Sequence, residues 1–311
     1  MRLSALLLAS ATLLWAPLAA SPQQQQTPRY HVNVRLVNVF VSVTASNGAP
    51  IAGLTQNDFA LSEDNVPQKI AYFERDTSMP LSVVLAIDTS GSVFKDLTLE
   101  ERAARDFAHA LLRPMDRLDV IDFNSDVEEV VPFTNDLRQI DDGLKHLTAG
   151  PATAFYNAIW LASQRLAARP GRKVLVLISD GVNTVDGVDY PQALDQAVRS
   201  EVMIYSLIDV PIIASAGRST GGEHAMISLS QGTGGNYYYV EGGDLARVFQ
   251  QVSQDLRTQY LISYYPIARR TESDFRHIQL TMTPTAGPAA SSYVLRYRPG
   301  YYAPPSPPLD Q

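Results

Sequence analysis

Leu81-Ser82-Val83-Val84-Leu85-Ala86-Ile87-Asp88-Thr89-Ser90-Gly91-Ser92 is the stretch on which the fold turns. Its first seven residues form a nearly unbroken apolar run, which marks a strand covered on both faces rather than one wetted on alternate sides. The run then ends abruptly in a carboxylate, three hydroxyls and a glycine. Downstream the pattern alternates. A helical spacing of three and four joins Ala104, Phe107, Ala108 and Leu111. Strands are expected at 118–123, around 130–133, at 174–178, 202–208 and 237–240. Helical stretches are expected near 136–147, 154–168 and 243–256. Strands alternating with helices imply a doubly wound, mainly parallel α/β sheet of Rossmann-like type, and such sheets bind ligands at the carboxyl ends of their strands.

On either side the period changes to two. Val32, Val34 and Leu36 alternate in one phase and Val37, Val39, Val41 and Val43 in the other, which predicts a bulge near residues 36–37. Asn47-Gly48 is a turn signal, and short apolar runs follow around Ile51, at 59–61 and at 70–73. After residue 257, Tyr260, Ile262 and Tyr264, then Ile278, Leu280 and Met282, then Tyr293, Leu295 and Tyr297 alternate in the same way. Neither set of strands is large enough to bury a sheet alone. Because the ends of a doubly wound domain lie close together, the two sets are expected to pair into one small β-sandwich. The expected organisation is a signal peptide at 1–20, a Gln-rich spacer at 21–30, a β segment at 31–78 and an α/β domain at 79–256. A second β segment at 257–303 and a proline-rich tail at 304–311 complete it.

The 311 residues carry 25 basic and 32 acidic side chains, a net charge of −7, with no basic block. That balance argues against tracking nucleic-acid phosphates. The chain has 0 cysteines, which removes zinc ribbons, iron–sulfur clusters, disulfides and thiol nucleophiles together. At the start, Arg2 precedes an uncharged run at 3–16, followed by Pro17 and the small residues Ala19, Ala20 and Ser21. This reads as a secretory signal cleaved near Ala20, and so as a secreted, periplasmic or cell-surface protein. Membrane attachment is expected only if that segment stays uncleaved.

The chemistry-bearing residues stand where strands end. Asp88, Ser90 and Ser92 follow the first apolar strand, Asp180 follows the strand at 174–178, and Thr153 opens a helix between them. Two carboxylates and three hydroxyls at one sheet edge form a hard oxygen donor set suited to Mg²⁺. Only two of the five groups carry charge, so a bound divalent cation would keep an appetite for a further carboxylate. Asp88-Thr89-Ser90-Gly91-Ser92, with Thr153 and Ser179-Asp180-Gly181 in order, resembles the metal-ion-dependent adhesion site of von Willebrand factor type A domains. The flanking Asp116-Arg117-Leu118-Asp119-Val120 and Phe123-Asn124-Ser125-Asp126 agree with it. Outside the domain, Gly53-Leu54-Thr55, Glu63-Asp64-Asn65 and Pro299-Gly300-Tyr301-Tyr302 resemble segments of secreted bacterial proteins related to that family, with Asn65 where glycine is common.

The resemblance implies that Asp88, Ser90, Ser92, Thr153 and Asp180 are metal ligands, with Thr89 and Gly91 shaping the turn. It implies Mg²⁺, with Mn²⁺ or Ca²⁺ as substitutes, and a non-enzymatic adhesion module whose open coordination position takes an acidic residue of a partner protein. Pro151-Ala152 departs from the family's glycine-rich text before the threonine. No small-molecule substrate is expected.

Blander readings compete. Asp and Ser also cap helices, though a cap explains neither Thr153 nor Asp180. An aspartic-protease motif would need glycine two residues after the Asp, and Gly91 is three away. The five histidines have no metal-ligand spacing. The acidic loop at 186–189 reads as a solvated turn and the Tyr237-Tyr238-Tyr239 run as an edge or core strand. A structural module binding through its sandwich or edge strands, with the metal site unused, is the alternative function. A metal-dependent hydrolase lacks a free general base.

Overall fold

The computed structural model describes residues 36–75, 79–91, 97–209, 220–241, 244–267 and 275–303. All of them belong to one unit, Arg35–Gln311. The parity change expected at 36–37, the signal segment, the spacer, the tail and Ser92 fall wholly or partly outside the described residues.

The apolar run forms β5 (Leu81–Asp88), with all eight residues buried. It pairs in parallel with β6 (Arg117–Phe123) on one side and β8 (Arg172–Ser179) on the other. Beyond β8 lie β9 (Val202–Ile208) and β10 (Tyr237–Tyr239), both parallel, and beyond β6 lies the antiparallel β7 (Val127–Thr134). The chain leaves β5 toward β6 and later returns to β8 on its opposite side. The junction of β5 and β8 is therefore the switch point at which doubly wound sheets open a crevice.

Helices cover both faces. Leu81, Val83, Leu85 and Ile87 point to one side, under α1 (Leu97–Leu111) and α6 (Leu245–Arg257), where the rings of Phe107 and Phe249 stack with centroids 4.4 Å apart. The short α2 (Leu137–Gly143) packs on the same side. Val84 and Ala86 point to the other, under α3 (Phe155–Ala167), α4 (Tyr190–Arg199) and α5 (Thr220–Thr233). Among the described residues no helix is long and apolar enough to cross a membrane.

The flanking strands build two four-stranded antiparallel sheets, and each mixes both ends of the chain. In the first, β1 (Val37–Thr44) pairs with β11 (Tyr260–Tyr264) and β13 (Val294–Arg296), while β11 also pairs with β4 (Ile70–Arg75). In the second, β2 (Phe59–Glu63) pairs with β3 (Val66–Gln68) and β12 (Phe275–Met282), which also pairs with β14 (Gly300–Tyr302). Val39, Val41, Phe59, Leu61, Ile262 and Leu280 meet in one core between them. The terminal strands thus pair across the α/β insert, as their common period predicts. Pro67 sits in an edge strand, where its missing N–H breaks no ladder bond. Asp64 and Asn65 turn the β2–β3 hairpin at φ 48° and 64°, the left-handed region that a two-residue hairpin turn requires and Asn tolerates.

Candidate metal centre

β5 delivers Asp88 as its last residue, fully buried at the sheet edge. Ser90 N donates to Asp88 Oδ1 at 2.9 Å and the Ser90 hydroxyl bonds the same carboxylate, closing a tight turn. From the next strand, the Ser179 hydroxyl donates to Asp88 Oδ2 at 2.5 Å.

The three loops are stitched together by main-chain bonds. Gly91 N donates to Gly150 O and Gly150 N to Thr89 O, each at 3.1 Å, so the segment before α3 runs beside the turn after β5. A Cβ on Gly150 would fall 2.5 Å from Asn124 Cγ, so this close approach requires glycine. Thr153 is buried. Its N–H donates to Thr184 Oγ1 at 2.8 Å, and Thr184 N returns a bond to Thr153 O at 3.0 Å. This pair joins the loop before α3 to the loop after β8. Asp180, half-buried, accepts from Val182 N at 3.0 Å. Asp88, Ser90, Thr153 and Asp180 are therefore carried on three interlocked loops at one edge. Ser92 lies outside the described residues.

Supporting residues emerge that the motif alone does not reveal. Asp122, at the end of β6, accepts the Thr89 hydroxyl, Thr148 N at 2.8 Å and Thr148 Oγ1 at 3.3 Å. Asn124 Nδ2 donates to Thr89 Oγ1 at 3.2 Å and to Thr148 O at 2.9 Å. Ser179, Thr184, Asp122 and Asn124 thus hold the turn from behind. The signal available in sequence was Asp122 itself, one of two carboxylates, with Asp119, inside a strand that buries six of its seven residues.

Burial pushes the Asp88 carboxyl up to about 6; the bonds from Ser179 and Ser90 pull it down, and the charge of Asp180 pushes it up again. Among the described residues neither Asp88 nor Asp180 has a basic partner within ion-pair distance. A buried carboxylate facing a second carboxylate, without a counter-charge, is an environment that a divalent cation relieves. Among the described residues no three His, Cys, Asp or Glu side chains are placed to hold a metal ion together, so hydroxyls would have to complete any ligand set. Hydroxyl and carboxylate oxygens are the hard donors that Mg²⁺ prefers. The donor chemistry fits.

Residues 83–183 match the family model of the von Willebrand factor type A domain. The chain carries a von Willebrand factor type A domain. Among solved structures, it is similar to proximal thread matrix protein 1 from the mussel byssus, at TM-score 0.50 and 13% identity over 63% of this chain and 51% of that one. It is also similar to BatB from Bacteroides thetaiotaomicron (TM-score 0.45, 20% identity, 57% of this chain and 100% of that one). A third is the vWF domain of the type V pili tip protein Mfa5 from Porphyromonas gingivalis (TM-score 0.45, 12% identity, 58% and 96%). At these identities the likeness is one of fold. No curated protein matches the sequence.

The remaining sequence readings resolve on the helices and edge of the six-stranded sheet. Asp189 caps α4, accepting from Gln192 N at 2.9 Å, so the acidic loop ends as a helix cap. Tyr237, Tyr238 and Tyr239 form the edge strand β10. His109 Nε2 lies 3.0 Å from Asp141 Oδ1, joining the exposed faces of α1 and α2.

Proposed function

We propose that this protein is a non-enzymatic binding module, exported by its N-terminal segment. In this reading Asp88, Ser90, Ser92, Thr153 and Asp180 hold a divalent cation, Mg²⁺ by preference. When bound, the cation supplies a Lewis-acidic position open to a carboxylate oxygen of a partner protein. The chain's own residues orient that position. Ser179 and Ser90 fix the two oxygens of Asp88, and the Thr153–Thr184 exchange fixes the loop carrying the third hydroxyl. The observation that carries the reading is the convergence of two carboxylates and two hydroxyl residues at the β5–β8 switch point, with no basic residue paired to either carboxylate among the described residues.

Calorimetric titration of the full chain with MgCl2 tests this. A saturable heat is expected, abolished in the Asp88→Ala Ser90→Ala double variant. Thr153→Ala, which deletes one hydroxyl and leaves the main-chain bonds in place, is the control should the double variant misfold. Capture of surface proteins should then require the metal and fail in chelator. Absence of both heat and thermal shift in the wild type would overturn the reading and leave the sandwich edges as the binding surface.

A further inference from the structure

At the opposite end of the sheet from Asp88, the first residues of β5 and β8 meet the last turns of α1 and α6 around a cavity of about 290 Å³. Leu81, Leu111 and Leu256 give it an apolar wall, and Arg113, Arg172 and Arg257 also line it, Arg172 buried and the other two exposed. Arg172 is 7% exposed. Its Nη1 donates to Leu256 O at 2.5 Å and to Gln259 Oε1 at 3.2 Å, while its Nε is buried without an acceptor. Among the described residues no carboxylate lies within ion-pair distance of Arg172. The same holds for Arg113 and for Arg257, whose Nη2 donates to Ala110 O.

The acid in this lining, Asp116, is already committed. Its oxygens accept from Leu81 N and Arg113 N, each at 2.9 Å. Three arginines and one carboxylate, itself engaged with main chain, thus line the cavity. A buried cation lacking a counter-ion is costly, and here the deficit sits on the wall of a cavity. A guanidinium presents a planar fork of donors that matches the oxygens of a carboxylate or phosphate. The volume approaches the lower end, about 300 Å³, of the range for small-ligand sites, which are largely apolar with a few polar anchors.

We infer that this cavity binds a small organic oxyanion, a carboxylate or phosphate group carried on a short apolar body. Arg172, Arg113 and Arg257 supply the charge, and Leu111 and Leu256 receive the body. The site is separate from the metal centre, and its occupancy requires no cation.

The test uses the full chain and three probes: octanoate, inorganic phosphate and octylammonium. A saturable rise in melting temperature is expected with octanoate, with phosphate, or with both, and the effective anion identifies the head group. Octylammonium, with the same body and the opposite charge, should produce none. The Arg113→Gln Arg257→Gln variant, altered at the two less enclosed arginines, should weaken the response at least tenfold. Thr153→Ala should keep it whole, which separates this site from the metal centre. A wild type that ignores both anions overturns the inference, as does an equal response to octylammonium or an undiminished response in the arginine variant.

Discussion

The Ser179 hydroxyl donates to Asp88 Oδ2 at 2.5 Å, from the end of one central strand to the end of its parallel neighbour. One carboxylate oxygen is thereby fixed by β8, while the other is fixed by Ser90 N within the β5 turn. Partners behind a metal ligand commonly contribute 10–100-fold in affinity by orienting it. Ser179→Ala should therefore weaken Mg²⁺ binding about 10–100-fold while leaving the fold intact, read by calorimetric titration beside a thermal melt. Unchanged affinity would show that Ser90 alone orients Asp88.

Asp119 makes a separate, pH-dependent prediction. It is buried in β6, with Oδ2 accepting from Arg165 Nε at 2.7 Å and Oδ1 without a partner. Burial pushes its carboxyl up to about 7, and the Arg165 charge only partly offsets this. A carboxyl whose folded pKa lies above its unfolded one retains its proton longer in the native state. Stability then falls as pH rises from about 4 to about 7 and is level above that, with a slope of at most about 1.4 kcal/mol per pH unit. The difference between wild type and Asp119→Asn, measured by denaturant titration across pH, isolates this slope. A slope of opposite sign would show that the Arg165 pair outweighs burial.

The parts of the fold readable in sequence were those with strong periodicity. The apolar run 81–87 became the central strand β5, and the alternating valines of β1 took their places opposite Ile262 and its neighbours. Asp88, Ser90, Thr153 and Asp180 were readable because each follows or precedes an element whose end is marked. What remained hidden was support from a distance. Ser179 and Asp122 act on residues 91 and 33 positions away, and no local pattern signals a bond that exists only once strands are in register. The cavity arginines were equally silent, since Arg113, Arg172 and Arg257 are far apart in sequence and only the meeting of helix ends with strand starts unites them.

Gly181 takes φ +76°, and a Cβ there would fall 2.4 Å from Gly222 O. Both the left-handed backbone and the contact with the start of α5 exclude a side chain. Gly181→Ala should cost about 1–3 kcal/mol and displace Asp180 beside it. The expected result is a lower melting temperature together with weaker Mg²⁺ binding. Loss of stability with metal affinity retained would show that Asp180 is held independently of its neighbour's packing.

The sandwich is closed by a buried acid. Glu63, on β2, accepts from Tyr264 Oη at 2.6 Å across the core and from Tyr301 Oη at 2.9 Å within its own sheet, with Arg276 Nη1 at 3.7 Å. The N-terminal segment supplies the carboxylate and the C-terminal segment supplies all three partners. In a chain without disulfides, this polar cluster links the two ends through the core. Tyr264→Phe keeps the ring and removes one donor from a buried carboxylate, which costs about 1–3 kcal/mol. It should lower the unfolding free energy from chemical denaturation by that amount while leaving Mg²⁺ binding unchanged, because the proposed metal centre lies on the six-stranded sheet. Glu63→Gln should lose comparable stability, and in the double variant the two losses should sum to more than is observed, since both act on one bond. Full additivity would show that the Tyr264 and Glu63 side chains stabilise the sandwich separately, by packing rather than by the bond between them.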